Sequence, residues 1–259
     1  LLKCGFLVRA GQFNGERSVV WRIARFDEVE DAPSGLRLTT RPQAEGKDIG
    51  LSIVFTITPV SDPGGIKIAY ATEGGGSWKP TRVSLLENAL WTTDSEAGTV
   101  YVPQRLGIEL PANKGLPGRQ AWMTYNSLAM AMCGVVKQGS ALLVNWENVD
   151  TNLRVDTAWP NLDIVPGSRS RAISVDMISP EGYVTIHPIG EGNYVQIAQA
   201  YRPLAKAKGW LHTWADKRER FPSVDKMFGA YNFKPFVFSR VVPGSRYNKA
   251  EEERTHLGF

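Results

Sequence analysis

Short strand-like segments separated by turn residues constrain the fold of this chain more than any other feature. The segments are rich in β-branched and aromatic residues, and breaks such as Asp62-Pro63-Gly64-Gly65 and Gln138-Gly139 separate them. No helical periodicity interrupts the series before His187. The predicted strands are residues 5–9, 17–26, 49–58, 66–71, 82–86, 99–102, 120–125, 130–136, 141–146, 153–157, 172–178 and 183–187.

This number of strands predicts a large antiparallel β-sandwich. About a dozen strands exceed the seven of an immunoglobulin-like domain, so two large packed sheets are the expected solution. The chain has 259 residues, of which 42% are hydrophobic, which is enough apolar surface for a real core.

The hydrophobic period changes after His187. Apolar residues then recur at three- and four-residue spacing, which predicts a helix capped by Asn193 and stopped after Lys208 by Gly209. Pro203 should kink this helix or split it near Tyr201, because proline lacks the backbone donor. A second short helix, residues 214–220, is predicted after a cap at Thr213.

Residues 233–242 form an apolar run of strand length that is typical of a buried parallel strand. A buried strand needs neighbours for its backbone groups, so this segment predicts the opening of a second domain. The chain also begins with Leu1, and we expect it to be a piece of a longer protein. The predicted organisation is a sandwich over residues 1–190, a helical linker over 191–222 and the start of another domain over 223–259.

Three stretches carry a family resemblance: residues 130–148 (MAMCGVVKQGSALLVNWEN), 190–209 (GEGNYVQIAQAYRPLAKAKG) and 225–232 (DKMFGAYN). Together they resemble glycosidases related to the endo-α-N-acetylgalactosaminidases. The resemblance implies a galactose-mutarotase-like supersandwich, a helical Tyr-Arg-x-x-Ala-Lys-x-Lys-Gly linker and a catalytic (β/α)8 barrel, of which residues 233–242 would be the first strand. Pro203 departs from the helix-favouring residue usual in that linker.

The resemblance implies a carbohydrate as partner and a catalytic apparatus outside this chain. Glycosidases use two carboxyl groups, and in barrel enzymes these lie at the C-terminal ends of several strands. Only the first such strand is present, so the catalytic carboxylates should lie beyond Phe259 and no catalytic residue can be assigned here. Toward the end of that strand, Ser239 and Arg240 are candidate substrate contacts, although Arg240 could equally support the next loop.

A second group of candidate sugar contacts lies in the sandwich itself. Trp146, Glu147, Asp150 and Trp159 combine aromatic faces with carboxylates, and Asp156 lies nearby in the sequence. The alternative interpretation is that Glu147 and Asp150 belong to a turn between two strands, while both tryptophans pack in the core.

Composition and motifs exclude several other classes. Residues 190–192 lack the third glycine of a dinucleotide loop, since Val occupies position 195, and the cysteines and histidines have no metal-ligand spacing, so no cofactor or metal is predicted. No apolar run reaches membrane-spanning length. Residues 202–254 hold 12 Lys/Arg against six Asp/Glu, which favours a solvated helical face over a nucleic-acid surface.

Two functional hypotheses remain open. The first is the N-terminal sandwich and barrel opening of a glycoside hydrolase, inactive as this fragment. The second is a non-catalytic carbohydrate-binding sandwich. Polyanion binding through residues 202–254 is a weaker third hypothesis.

Overall fold

A computed structural model of the chain describes residues 5–12, 15, 17–159, 165 and 167–227. The chain divides into two compact units, Leu1–Lys208 and Gly209–Phe259. All of the described strands belong to the first unit.

The described residues of the first unit form strands and two helices. The strands are β1 (Gly5–Gln12), β2 (Ser18–Ile23), β3 (Glu28–Ala32), β4 (Gly35–Thr40), β5 (Gln43–Ala44), β6 (Lys47–Asp48), β7 (Leu51–Ser61), β8 (Gly64–Gly74), β9 (Trp78–Thr93), β10 (Thr99–Val102), β11 (Ile108–Pro111), β12 (Gly118–Met123), β13 (Met132–Lys137), β14 (Ser140–Trp146), β15 (Thr151–Ala158), β16 (Ser170–Met177) and β17 (Glu181–Glu191). The helices are α1 (Thr124–Ser127) and α2 (Tyr194–Ala207).

The strands form two large antiparallel sheets, which confirms the predicted β-sandwich. One sheet has six strands in the order β12-β15-β16-β9-β1-β2, and the other has nine in the order β11-β10-β13-β14-β17-β8-β7-β4-β3. A small hairpin, β5-β6, stands apart from both. Each of the twelve strands predicted up to His187 corresponds to an observed one, with ends that shift by up to seven residues.

One apolar core draws residues from both sheets. Val83, Leu153 and Val155 come from the six-stranded sheet, and Phe55 and Val144 come from the nine-stranded sheet, all fully buried. Because side chains alternate along a strand, each sheet turns every second residue into this core and the intervening residues outward. Aromatic rings of β1, β7 and β8 meet in it, with the Phe6 and Phe55 centroids 4.6 Å apart.

The predicted turns are confirmed where left-handed backbone is needed. Gln138 and Gly139 both have positive φ and join β13 to β14 by two residues, as in a type I′ hairpin. At the β8–β9 connection, a Cβ on Gly75 would lie 2.4 Å from the Trp78 carbonyl oxygen, so glycine is required there.

Helix α2 packs on the outer face of the nine-stranded sheet. A capping box starts it: the Asn193 side chain accepts from the Val195 amide at 2.8 Å, and Gln196 accepts from the Asn193 amide at 2.9 Å. Its buried residues Ile197, Tyr201 and Ala205 repeat every four positions and form a second apolar cluster with Met132, Val136, Ala141 and Leu143.

The split expected near Tyr201 does not occur, because α2 runs without interruption from Tyr194 to Ala207. Pro203 lies on the exposed side of the helix. The Gln199 carbonyl, which loses its usual donor there, can be hydrated instead, while the packed face remains intact.

The second unit is described only over its first part. Its helix α3 (Trp214–Arg220) begins at Thr213 with a capping box to Asp216, as predicted, and a 3-10 helix (Pro222–Met227) follows. The predicted strand over residues 233–242 lies outside the described residues. Within the described ranges, no helix is long and apolar enough to cross a membrane.

Strands β3, β4, β5, β6 and β11 were not predicted from the sequence. Strand β3 has the sequence EVEDA, with four of its five residues exposed at the end of the nine-stranded sheet. Charged residues suit a sheet edge, where they discourage further pairing. Strand propensity is therefore weak there, and pairing with β4 defines the strand.

The close approach of α2 to β13 gives a stability prediction. A Cβ on Gly134 would lie 2.6 Å from Ile197 Cδ1 and 3.1 Å from its Cγ2, so Gly134→Ala should displace this buried side chain and lower the free energy of unfolding by about 1–3 kcal/mol. Urea denaturation of the full chain measures this change. Gly64→Ala is the control, because a Cβ there meets no atom within 4 Å; equal losses in the two variants would contradict the packing argument.

Candidate functional site

Trp146 is a core residue at the end of β14. Its side chain is fully buried, and its indole Nε1 donates to Thr124 Oγ1 at 2.9 Å. The Thr124 hydroxyl in turn donates to the Thr151 carbonyl at 2.8 Å. The ring therefore has no face open to a sugar, which favours the core-packing interpretation and corrects the expectation of a stacking contact.

Trp159 lies far from Trp146. It follows the last residue of β15, whereas Trp146 is connected through Thr124 to the first residue, Thr151. The eight residues of this strand separate the two ends by roughly 25 Å. The half-buried Trp159 ring carries the Arg169 guanidinium 4.5 Å from its centroid. The structure does not bring the two tryptophans into one site.

The acidic residues considered as sugar contacts also lie apart from one another. Asp150 is exposed in the turn before β15 and lies 3.5 Å from the Ser179 hydroxyl. Asp156 projects from the sixth position of that strand and accepts from Arg119 Nε at 2.7 Å. Ser239 and Arg240 lie outside the described residues, so their substrate role stays a prediction.

Glu147 connects α2 to the sandwich. Its carboxylate forms a 2.5 Å ion pair with Lys208 Nζ at the end of α2, and Tyr183 of β17 also hydrogen-bonds to it. The Lys67 ammonium lies 3.9 Å from the Tyr183 ring centroid. Partial burial works against ionisation of Glu147, but Lys208 and Tyr183 outweigh it and lower the pKa of the carboxyl. This geometry holds a helix end in place.

The outer face of the six-stranded sheet carries a buried network of charges. Leu153 and Val155 point into the core, so Arg154 points to the opposite face, where it bridges Glu87 and Asp176. The side chains of these three residues are only 5%, 7% and 1% exposed. Ser84 donates to Asp176 at 2.6 Å, and Arg82 lies 3.5 Å away. Burial raises the pKa of Asp176, although the arginines oppose the shift.

An irregularity of several residues in β9 places Glu87 in this network. Between the pairs Ile173–Leu90 and Val175–Leu85, four β9 residues lie opposite the single residue Ser174. Leu86 and Asn88, on either side of Glu87, both have positive φ. Such strain persists only where the surroundings enforce it, and here Arg154 and the Ser174 hydroxyl hold the bulge.

An open groove lies between the N-terminus of α2 and the β10–β11 connection. Its volume is about 400 Å³. The buried residues Val102, Met132 and Ile197 form its floor, and Tyr101 and Tyr194 line it with ring centroids 5.8 Å apart. No sequence motif marked this groove, because its walls come from segments about ninety positions apart.

Polar groups converge on the same groove. The Tyr101 hydroxyl donates to Glu109 Oε1 at 3.3 Å, and Arg105 projects from the connecting turn. Burial and the neighbouring Glu109 raise the pKa of Tyr101, so its hydroxyl remains a donor at neutral pH. Gln104 of this turn accepts from Trp122 Nε1 at 2.6 Å, which anchors the turn to the core.

A larger cleft of about 660 Å³ lies beside Trp91 and Lys137. The Lys137 ammonium lies 4.0 Å from the Trp91 ring centroid and pairs with Glu96 at 3.0 Å. The exposed indole face is therefore covered by a charge. Among the described residues, no group of three or more His, Cys, Asp or Glu side chains could hold a metal ion.

Comparison with solved structures identifies a protein of the same fold. The chain superposes on the alpha-N-acetylgalactosaminidase NagBb from Bifidobacterium bifidum in its GalNAc complex, with a TM-score of 0.63 and 15% identity over 85% of this chain. A quadruple mutant of that protein gives a TM-score of 0.61 and 16% identity over 95% of this chain. The chain spans 36% and 43% of those two solved chains.

The sandwich has the fold of the corresponding part of that alpha-N-acetylgalactosaminidase. The large β-sandwich implied by the sequence resemblance to the endo-α-N-acetylgalactosaminidase group is thereby confirmed. No protein-family model matches the sequence, and the comparison with curated proteins also finds no match.

Removal of the central arginine tests the buried network. Arg154→Ala leaves Glu87 and Asp176 without their shared cation in a desolvated site, so the free energy of unfolding should fall by about 3–5 kcal/mol. The control is Arg37→Ala, because Arg37 pairs with Glu30 at 3.5 Å on the surface and such pairs contribute about 0–1 kcal/mol. If guanidinium denaturation gave the two variants similar losses of unfolding free energy, the structural role of Arg154 in the buried network would be contradicted.

The Glu147 carboxylate gives a pH prediction. Because its pKa is lowered in the folded chain, its contribution to stability is present at neutral pH and is lost as the pH falls through that lowered value, below the ordinary range of about 4.3. Urea melts of the wild type and Glu147→Gln should therefore differ by a constant amount from pH 7 to 5 and converge below pH 4. A difference that persists unchanged at pH 3 would contradict this assignment.

Proposed function

We propose that this chain supplies the β-sandwich module of a larger glycoside hydrolase that acts on α-N-acetylgalactosaminides. The observation that carries the proposal is the fold likeness to an alpha-N-acetylgalactosaminidase, of which the chain spans little more than a third. The residues of 130–148 and 190–209 that carried the sequence resemblance occupy β13, β14, the end of β17 and α2, which form one continuous packed region.

The proposed organisation keeps the domains expected from the sequence. Residues 1–190 form a galactose-mutarotase-like sandwich, residues 191–222 a helical linker and residues 223–259 the start of a (β/α)8 barrel. In support, the last strand of the sandwich ends at Glu191, and the next described elements are the helices α2 and α3. The packing of α2 on the nine-stranded sheet ties the first part of that linker to the sandwich.

The catalytic carboxylates are proposed to lie beyond Phe259. A glycosidase needs two carboxyl groups on either side of a bond that substrate can reach. Glu87 and Asp176 are close to a shared arginine but almost fully buried, and Glu147 and Asp156 are each paired with a cation. Each of these four acids has a structural partner, so we assign the chemistry to the barrel.

This assignment predicts that the chain alone is inactive. Incubated with 4-nitrophenyl N-acetyl-α-galactosaminide, it should release no nitrophenol, whereas the protein encoded by the gene read past Phe259 should release it. The added sequence should show a repeating strand–helix pattern with Asp or Glu at strand ends. Hydrolysis by the chain alone, or a downstream sequence without that pattern, would overturn the proposal.

A second candidate function is carbohydrate binding by the sandwich itself. The tryptophans first considered for this role do not support it, because Trp146 is buried and Arg169 covers Trp159. The groove between Tyr101 and Tyr194 supports it instead, since it combines exposed aromatic surface with convergent polar groups.

A further inference from the structure

We propose that the Tyr101–Tyr194 groove is a carbohydrate-binding site that receives one or two pyranose residues of a glycan. The proposal rests on the proposed function only for the class of ligand, a sugar. It places glycan binding on the sandwich, at a site built entirely from the first unit of the chain.

The aromatic geometry suits a sugar ring. Tyr194 is the first residue of α2 and is 60% exposed, although the helix beneath it is firmly packed. Its ring is inclined by 44° to that of Tyr101, so the two tyrosines form an angled surface. An exposed aromatic ring makes apolar contact with the C–H face of a pyranose, and tyrosine combines such an apolar ring with a polar hydroxyl.

The polar groups supply what the sugar hydroxyls need. Glu109 accepts from the Tyr101 hydroxyl through Oε1, and a carboxylate has further lone pairs that accept from a ligand hydroxyl. Arg105 offers guanidinium donors from the same rim. The groove therefore offers a negatively charged acceptor, Glu109, and a positively charged donor, Arg105, beside an apolar surface. This combination suits a neutral polyhydroxylated ligand better than an anion or a purely apolar ligand.

The site is held in shape before a ligand arrives. Arg105 and Gly107 have positive φ in the turn that carries the rim, and the Gly107 amide donates to the Gln104 carbonyl at 2.8 Å. Trp122 fixes Gln104 from the core side, while the capping box fixes Tyr194 from the helix side. Preorganised walls reduce the entropy lost on binding. The cleft beside Trp91 lacks this arrangement, because Lys137 already covers the ring.

The volume agrees with this class of ligand. The groove holds about 400 Å³, within the roughly 300–1,000 Å³ typical of small-molecule sites. The fully exposed Leu106 and the exposed Met130 extend its apolar rim beyond the tyrosines. A longer glycan could therefore continue along the rim.

Titration of the full chain with methyl N-acetyl-α-galactosaminide, methyl α-galactoside and methyl α-glucoside, followed by NMR saturation transfer and calorimetry, tests the proposal. At least one of these sugars should bind, and Tyr194→Ala should weaken it about tenfold. Tyr125→Ala is the matched control, because Tyr125 is 61% exposed outside the groove. Glu109→Gln, at an exposed position, should also weaken binding.

Three results would overturn the proposal. The first is that none of the three sugars binds, and the second is that Tyr125→Ala weakens binding as much as Tyr194→Ala. The third is a dimer in analytical ultracentrifugation that dissociates in Tyr194→Ala, since the groove would then be covered by a second copy. None of these results bears on the parent glycosidase, which is tested separately by the sequence and activity beyond Phe259.

Discussion

The packing of two large sheets against each other is the interaction on which the rest of this structure depends. Neither sheet could bury its inner face alone, and the shared core takes fully buried residues from both, such as Phe55 and Leu153. Strand alternation then decides the surroundings of every other residue, because it sends each neighbour of a core residue to an outer face. Trp146 belongs to this core, which removes it from any direct role with a ligand.

Different interactions stabilise the outer faces of the two sheets. On the nine-stranded sheet, Gly134 lets α2 approach closely enough for Ile197 to pack on the backbone. On the six-stranded sheet, Arg154 forms buried ion pairs with two acidic residues and holds the bulge that contains Leu86 and Glu87. Breaking such buried ion pairs costs several kcal/mol of folding free energy. We therefore assign Glu87 and Asp176 a structural role and not a catalytic one.

Much of the fold could be predicted from the sequence, whereas little of the candidate site could. Strands and turns such as Gln138-Gly139 follow from local periodicity and backbone preference. Trp146 and Trp159 are close in sequence, yet they lie near opposite ends of the intervening strand β15. Tyr101 and Tyr194 are distant in sequence, yet the docking of α2 brings their rings within 5.8 Å.

The sequence by itself determined the class of fold, the helix boundaries at Asn193 and Thr213, and the likeness to glycosidases that the solved structures bear out in the fold. These properties depend on local hydrophobic patterns, capping residues and turn chemistry, all of which act over a few neighbouring positions. Only the tertiary structure decided that Pro203 leaves α2 intact, that Arg154 joins two acids and that two tyrosines share a groove. Each of these depends on which distant segments pack together, and that is set by burial of the whole core.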